Sequence, residues 1–295
     1  MKRMKAGDFP QEVLDIFDHY VHGEIGRREF LDRATKFAIG GTSAAAMLGA
    51  LRPNYAWAQQ VRKDDARIHA EYLTYPSPNG SGTMRGYFVR PGNAGGKLPG
   101  VVVIHENRGL NPYIEDVARR LAVANYVAFA PDALTPLGGY PGDDEKAAAL
   151  FAKLDPGKRT EDLMAAVPFL KSRPECNGRV GAVGFCFGGT VVNQMAVRFP
   201  DLGAAVPFYG TQPSAADTAK IKAPLLAHYG ELDTRITSGW PAFDKELTAA
   251  HVTHEGHVYG GANHGFHNDT TPRYDEAAAK LAWQRTLDWF NKYLR

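Results

Sequence analysis

The stretch that decides the fold of this chain is Gly-Phe-Cys-Phe-Gly-Gly at residues 184–189. It has the Gly-x-nucleophile-x-Gly spacing of a nucleophile elbow, with cysteine where serine usually stands. The apolar run at 179–183 predicts a buried strand before it, and residues 190–199 predict a helix after it. Glycines flank the turn because side chains there would clash with the strained backbone of Cys186. The helix N-terminus would then favour the thiolate form of that cysteine.

The same pattern also fits a plain Gly-rich turn with a buried cysteine, so its partners matter. A site of this kind needs an acid and then a histidine, in that order along the chain. Asp233 follows an apolar run that predicts a strand, and His264 lies in a Gly-rich loop after the last predicted strand. We therefore predict Cys186 as nucleophile, His264 as its base and Asp233 as the orienting carboxylate. Glu231 is the alternative acid, and Asp233 is preferred because it lies deeper in the loop.

Glu106 stands at a second informative place. It directly follows the apolar run 101–105, which predicts a strand covered on both faces. Ligands bind beyond the carboxyl ends of the strands in open α/β sheets, so Glu106 is a candidate site residue, the alternative being a solvated surface glutamate. The backbone N–H groups of Asn107 and Phe187 are the predicted oxyanion hole.

Taken together, these segments resemble the dienelactone hydrolase family of α/β-hydrolases. The resemblance covers roughly residues 66–295 and rests on the motifs at 105–111, 114–122, 184–189, 230–233 and 262–266. It implies an α/β-hydrolase fold and a Cys186–His264–Asp233 triad, with Glu106 as a switchable proton partner of the thiol. It also implies hydrolysis of a small-molecule ester or lactone through an acyl-enzyme, without a cofactor.

One position departs from the family pattern. Members that cleave dienelactone carry an arginine four residues after the catalytic histidine, and this chain has Asn268 there. Arg108, Arg235 and Tyr140 are the substrate-binding candidates that remain. Other readings of the same site are a thioester or phosphotriester substrate, or a protein that only binds a ligand or senses oxidation through its cysteine.

Composition excludes several classes of function. The 34 Lys and Arg residues nearly balance the 32 Asp and Glu residues, so no nucleic-acid surface is predicted. Two cysteines do not make a disulfide framework, and Cys176 is expected to be structural or exposed. The sequence contains no Cys-x-x-Cys, His-Glu-x-x-His, Gly-x-Gly-x-x-Gly or P-loop pattern, so neither a metal nor a nucleotide is predicted.

Residues 1–58 are a different kind of sequence from the predicted hydrolase domain, 59–295. A twin-arginine pattern at 27–31 precedes a mildly apolar run at 37–51 that is too short to span a membrane, and Ala56-Trp57-Ala58 offers a cleavage site. This order predicts export to the periplasm by the twin-arginine (Tat) translocase. The alternative is an uncleaved helical arm of a cytoplasmic protein, packed on the domain or on a second subunit, because residues 10–21 have helical apolar spacing.

The rest of the chain predicts a mainly parallel sheet covered by helices on both faces. An antiparallel pair of strands is expected at 68–75 and 84–90. The further predicted strands lie at 100–105, 126–130, 179–183, 203–208, 224–229 and 253–259. They alternate with predicted helices near 113–124, 143–153, 158–172, 187–199, 238–250 and 274–293. The loop 131–144, which contains Tyr140, is the expected rim of the pocket.

Overall fold

The computed structural model describes residues 4–38 and 43–295. The strands are β1 (Ile68–Ser77), β2 (Gly82–Pro91), β3 (Leu98–Ile104), β4 (Val127–Pro131), β5 (Cys176–Phe185), β6 (Ala204–Phe208), β7 (Leu225–Gly230) and β8 (His254–Tyr259). They form one sheet in the order β1-β2-β4-β3-β5-β6-β7-β8. β2 pairs antiparallel with β1 and β4, and the other neighbours pair in parallel. The predicted mainly parallel sheet is confirmed.

Helices alternate with the strands. They are α1 (Gln11–Val21), α2 (Arg27–Ala34), α3 (Ala44–Leu51), α4 (Pro112–Val123), α5 (Asp144–Phe151), α6 (Pro156–Met164), α7 (Ala166–Ser172), α8 (Phe187–Arg198), α9 (Ala215–Thr218), α10 (Thr234–Thr237), α11 (Trp240–Ala249) and α12 (Glu276–Leu294). The single helix predicted over 158–172 is wrong, because the chain breaks into α6 and α7. Pro168 explains the break: it has no N–H, and its ring would clash with the carbonyl four residues earlier in a continuous helix.

Two apolar cores lie on opposite faces of the sheet, and the alternation of side chains along β3 shows how they are separated. Val102 and Ile104 pack into the core that contains buried residues of α6, α7, α8 and α11. Val101 and Val103 pack into the other core, with α4 and α12. Successive side chains of a strand point to opposite faces, so a strand covered on both sides must be apolar throughout.

The strand-to-helix turn predicted at 184–189 is present. Cys186 connects β5 to α8 with φ +57° and ψ −115°, a conformation that L residues rarely adopt. A Cβ on Gly184 would lie 2.2 Å from the carbonyl oxygen of Gly188, and a Cβ on Gly188 would lie 2.3 Å from the carbonyl oxygen of Ile104. Only glycine fits at either place, so the close packing of the turn holds the strained cysteine.

The N-terminal segment, of which the structure describes residues 4–38 and 43–58, forms α1–α3 and has an apolar core of its own. The core includes the fully buried Phe30, which belongs to the twin-arginine pattern. Arg27 of that pattern begins α2 and donates to Glu145 of the domain at 2.9 Å. The predicted apolar run 37–51 contains residues 39–42, which lie outside the described residues. Among the residues that are described, no helix is long and apolar enough to cross a membrane.

The packing of the turn can be tested by Gly188→Ala. The added carbon meets a backbone oxygen that cannot move away cheaply, so we expect the variant to lose about 2 kcal/mol or more of unfolding free energy. Chemical denaturation monitored by circular dichroism measures the loss. Gly95→Ala is the control, because no atom lies within 4 Å of its added carbon and its φ is not positive. Equal stability of the two variants would contradict the argument.

Candidate active site

The candidate site residues come from four different strand ends. Glu106 follows β3, Cys186 follows β5, Asp233 precedes α10 just after β7, and His264 lies in the loop after β8. Parallel strands bring their carboxyl ends to one edge of the sheet, which is where open α/β sheets bind ligands. The structure brings these four side chains together, although up to 158 residues separate them in the sequence.

The histidine and its carboxylate form a short contact. His264 Nδ1 lies 2.6 Å from Asp233 Oδ2, and both side chains are buried. Because Nδ1 is hydrogen-bonded to the carboxylate, Nε2 is the nitrogen available to Cys186. A ring nitrogen of His264 lies within 4.8 Å of the sulfur of Cys186. Glu231, the alternative acid, is exposed and accepts a hydrogen bond from the backbone N–H of Gly261 instead. The contact to the histidine is thus made by Asp233.

The charges of the site favour a thiolate–imidazolium pair. Burial disfavours the thiolate, but the charges of His264 and His22 outweigh it and hold the pKa of Cys186 well below its usual value. Burial likewise disfavours the imidazolium, but Asp233 and the thiolate outweigh it and raise the pKa of His264 well above its usual value. A thiolate is the reactive form of cysteine.

Glu106 lies beside this pair, and its charge depends on pH near neutrality. Burial and the neighbouring thiolate of Cys186 raise the pKa of Glu106 to about 7. Its Oε2 accepts a hydrogen bond of 3.0 Å from the Nδ2 of Asn268. Asn268 therefore contacts the glutamate from the position where dienelactone-cleaving relatives are expected to carry an arginine.

The two predicted oxyanion donors belong to the residues that directly follow Cys186 and Glu106 in the sequence. Phe187 is the first residue of α8, so its N–H is one of the donors that a helix N-terminus leaves without an intrahelical partner. Asn107 follows Glu106 in the loop after β3, and its side chain donates to the carbonyl of Val21 at 2.7 Å. A backbone carbonyl of the N-terminal segment thus accepts a hydrogen bond from the loop that carries this predicted donor.

Sequence reasoning missed His22, which the N-terminal segment brings to the thiol. Its Nε2 lies 3.3 Å from Cys186 Sγ. Gly23, with φ +78°, ends α1 just after this histidine and leaves it at the C-terminal end of the helix. The available signal was an amphipathic helix that ends in His-Gly, but nothing in that pattern says which surface the helix covers.

A cavity of about 490 Å³ adjoins Cys186 and is lined by both parts of the chain. Arg108 lines it, as predicted for a substrate-binding residue, and so does Arg273, which was not predicted. Arg235 lines a neighbouring cavity and contacts His22. Tyr140 is not among the residues that line the cavity. Its hydroxyl donates a hydrogen bond to Asp144, which does line it.

The N-terminal segment supplies much of the cavity wall that the sequence assigned to loop 131–144. In that loop, Leu134 is buried in a core and Leu137 is exposed. The wall is formed instead by residues such as Phe17, Tyr20 and Leu51. The substrate space is therefore defined by the segment as much as by the domain.

Among the described residues, one group could hold a metal ion. His22, Cys186 and His264 offer ligand atoms that all lie within 4.8 Å of one another. Imidazole and thiolate are ligands that suit zinc. A metal bound there would occupy the thiol and the base, so it would compete with any reaction that uses Cys186.

Comparisons with known proteins agree with the fold and cover both parts of the chain. Residues 84–294 match the family model described as the dienelactone hydrolase family, and residues 1–38 match a second model, described as YqhI-like. A Salmonella typhimurium protein provisionally named a carboxymethylenebutenolidase is 34% identical over 248 residues, which cover 79% of this chain and 91% of that protein. A provisionally assigned hydrolase fragment of Escherichia coli, YghX, is 60% identical over 114 residues, which cover 39% of this chain and 97% of the fragment.

A solved structure gives the same result. The crystal structure of a Klebsiella pneumoniae protein, provisionally described as a dienelactone hydrolase, matches with a TM-score of 0.67 and 30% sequence identity, covering 76% of this chain and 100% of that one. The α/β-hydrolase fold that the sequence predicts is confirmed.

The contact between Asn268 and Glu106 can be tested by Asn268→Ala. The amide stabilises the charged carboxylate, so its loss should raise the pKa of Glu106 further and move the titration of this carboxyl to higher pH. Difference infrared spectroscopy across a pH series measures it. Thr270→Val is the control, because Thr270 bonds to the Oδ1 of Asn268 and its loss leaves the contact with Glu106 in place. Identical titrations in Asn268→Ala and Thr270→Val would refute the contact's effect.

Proposed function

The chain belongs to the dienelactone hydrolase family and is a hydrolase of the ester or lactone class, and we propose that it works through an acyl-enzyme on Cys186. One observation carries the proposal: the thiol stands on a strained turn beside an imidazole whose other nitrogen is bonded to Asp233 at 2.6 Å. Such an arrangement is what nucleophilic catalysis needs, because the base activates the nucleophile and the carboxylate orients the base.

In the proposed reaction, the thiolate of Cys186 attacks the carbonyl carbon and forms a carbon–sulfur bond. The electron pair of the carbonyl moves to its oxygen, which the N–H groups of Phe187 and Asn107 stabilise. His264 gives its Nε2 proton to the leaving oxygen, and a thioester remains. Water then attacks the thioester, its proton passes to His264, and the acid leaves as the thiolate is restored.

Glu106 controls how readily the thiolate exists before substrate arrives. An ionised carboxylate beside the thiol disfavours the thiolate, and a protonated one does not. With a pKa raised to about 7, Glu106 changes its charge in the range where the enzyme would work. This coupling supports its proposed role as a proton partner that limits oxidation of a resting thiolate.

The substrate of the proposed reaction is a small ester or lactone that fits a cavity of about 490 Å³. Arg108 and Arg273 line this cavity and would suit a negatively charged group on the substrate. Asn268, bonded to Glu106, does not offer the positive charge of the family arginine. We therefore leave dienelactone out of the proposal.

Substitution of the nucleophile tests the proposal. Cys186→Ala and His264→Ala should each lower kcat/KM for p-nitrophenyl esters by about 10⁴-fold or more, because neither the bond to carbon nor the proton transfer can then occur. Mass spectrometry after rapid quenching should find an acyl adduct on Cys186. Cys176→Ala is the matched control, a free cysteine outside the site that should leave turnover unchanged. Unchanged turnover in Cys186→Ala would refute the acyl-enzyme.

The same experiment separates the competing functions. A thiol sensor or ligand-binding protein would form no acyl adduct, and peroxide would convert Cys186 to a sulfenic acid or a mixed disulfide. Thioester and phosphotriester substrates would leave an acyl or a phosphoryl adduct, which differ in mass. The specific observation that favours hydrolysis is the contact between Asp233 and His264, which a sensor does not need.

Export and retention of the N-terminal segment predict different mature chains. Cleavage after Ala58 during Tat export would leave Gln59 as the first residue. We propose retention, because the segment is joined to the domain by contacts such as those of Arg27 with Glu145 and Val21 with Asn107. Intact-mass measurement of the protein from periplasmic and cytoplasmic fractions should find the segment attached, and a chain that begins at Gln59 in the periplasm would establish export instead.

A further inference from the structure

Two imidazoles lie next to the same thiol, with the ligand atoms of all three side chains within 4.8 Å of one another, and they come from distant parts of the chain. His264 belongs to the loop after β8, and His22 follows α1, 164 residues before Cys186. The two rings meet nearly edge to face, with centroids 4.9 Å apart. His22 Nε2 lies 3.3 Å from Cys186 Sγ, which is a hydrogen-bonding contact. The thiol is thus flanked by two groups that can carry its proton.

The backbone of α1 fixes which nitrogen of His22 faces the thiol. His22 Nδ1 lies 2.7 Å from the carbonyl oxygen of Asp18. A carbonyl oxygen only accepts hydrogen bonds, so the proton is on Nδ1 and the lone pair of a neutral ring is on Nε2. The carboxylate of Asp18 lies 3.4 Å from the same Nδ1. Asp18 and His22 therefore repeat the arrangement of Asp233 and His264, with a carboxylate behind the ring and Nε2 in front.

Some of the charges around His22 favour its protonation, and others oppose it. The charged or titratable groups that face it or the thiol are Asp18, Glu106, Cys186, Tyr209, Arg235, His264 and, through Asp18, Arg273. Cys186 Sγ at 3.3 Å in front of the ring and the carboxylate of Asp18 at 3.4 Å behind it both favour the imidazolium. The C-terminal end of α1 adds partial negative charge on the same side.

Arg235 is the group that opposes protonation of His22. Its Nη2 lies 3.1 Å from His22 Nε2. A guanidinium only donates, so this contact is favourable only while Nε2 carries no proton. The same guanidinium also lies 3.2 Å from Asp18 Oδ2, which offers it another partner when His22 takes a proton.

Resting on the proposed function, we propose that His22 is a further catalytic residue, which takes the proton of the Cys186 thiol and so leaves His264 to protonate the leaving oxygen. The N-terminal segment would then be part of the catalytic machinery rather than only its cover. Nothing in the family-like part of the sequence, from residue 66 onward, supplies this second imidazole.

The proton transfers balance over one turnover. The S–H bond breaks as its proton moves to His22 Nε2, and the sulfur electron pair forms the bond to the carbonyl carbon. His264 gives its proton to the leaving oxygen as the carbon–oxygen bond breaks. In the second half, water gives a proton to His264 as its oxygen bonds to the thioester carbon. The carbon–sulfur bond then breaks, the sulfur keeps the electron pair, and His22 returns the proton.

The pH dependence of alkylation tests the assignment without requiring any substrate turnover. In a Cys176→Ala background Cys186 is the sole thiol, and its rate with iodoacetamide follows the thiolate fraction. His22→Gln should lower the rate near neutral pH about tenfold or more, because a positive charge next to the thiolate is lost. Glu106→Gln should move the midpoint of the rate profile to lower pH, because a negative charge next to the thiolate is lost.

The matched control is His19→Gln. His19 lies on the same helix one turn earlier, is half exposed and pairs with Glu24. Its alkylation profile should coincide with that of the parent protein. Coincident profiles for His22→Gln and His19→Gln would overturn the proposal.

Rescue by free imidazole separates catalysis from a structural role. His22→Gly leaves a space beside the thiol, and added imidazole should restore both the alkylation rate and ester turnover. Hydrogen exchange of the amides of α1 checks that the segment of His22→Gly still packs on the domain. If the segment is still packed and imidazole does not restore the rate, the catalytic role of His22 is overturned. The proposed function fails on a different result, namely ester turnover that persists in Cys186→Ala.

Discussion

The burial of a charged sulfur is the constraint on which the site depends. A buried charge costs several kcal/mol unless paired groups compensate it. Cys186 is buried, yet the surrounding charges hold its pKa well below the usual value, so the compensation must come from the imidazoles of His264 and His22. His264 is buried and His22 is partly buried, and each imidazole has an aspartate behind it, Asp233 or Asp18. The thiolate of the strained Cys186 is thus stabilised by two imidazoles, and each imidazolium is stabilised by an aspartate.

The N-terminal segment completes this chain of charges. Asp18 joins the segment to the domain through Arg235 and Arg273, at 3.2 and 3.1 Å. Burial disfavours the charged carboxylate, but the charges of His264, His22 and Arg273 outweigh it and hold the pKa of Asp18 far below its usual value. The ion pairs of Asp18 therefore both attach the segment to the domain and contribute to the charge balance of the site. The contacts that hold α1 on the domain are the contacts that keep His22 supplied with a counter-charge.

The sequence predicted the parts of the site that local patterns encode. Strand ends, the glycine-flanked turn at Cys186 and the order of Asp233 and His264 follow from periodicity, backbone sterics and chain order, and the structure has the corresponding turn and contacts. His22 could not be predicted, because its partner is 164 residues away and no periodicity records which surface a helix covers. The hydrogen bond from Asn268 to Glu106 could not be predicted for the same reason, because the two residues are far apart in the sequence. Local chemistry is readable, whereas docking of separate segments is not.

If His22 takes the proton of Cys186 as proposed, packing of the N-terminal segment on the domain stabilises the thiolate. The thiolate must then stabilise the packing of the segment by the same free energy, because such coupling is reciprocal. On this proposal, acylation converts the thiolate into a neutral thioester, so a protonated His22 keeps Asp18 behind it but loses the thiolate in front of it, and the attraction between the segment and the domain weakens. This weakening falls at the step when the leaving group must depart. Hydrolysis restores the thiolate and with it the attraction for His22. On this proposal, the attraction between the segment and the thiol therefore changes with the charge of Cys186 during the reaction.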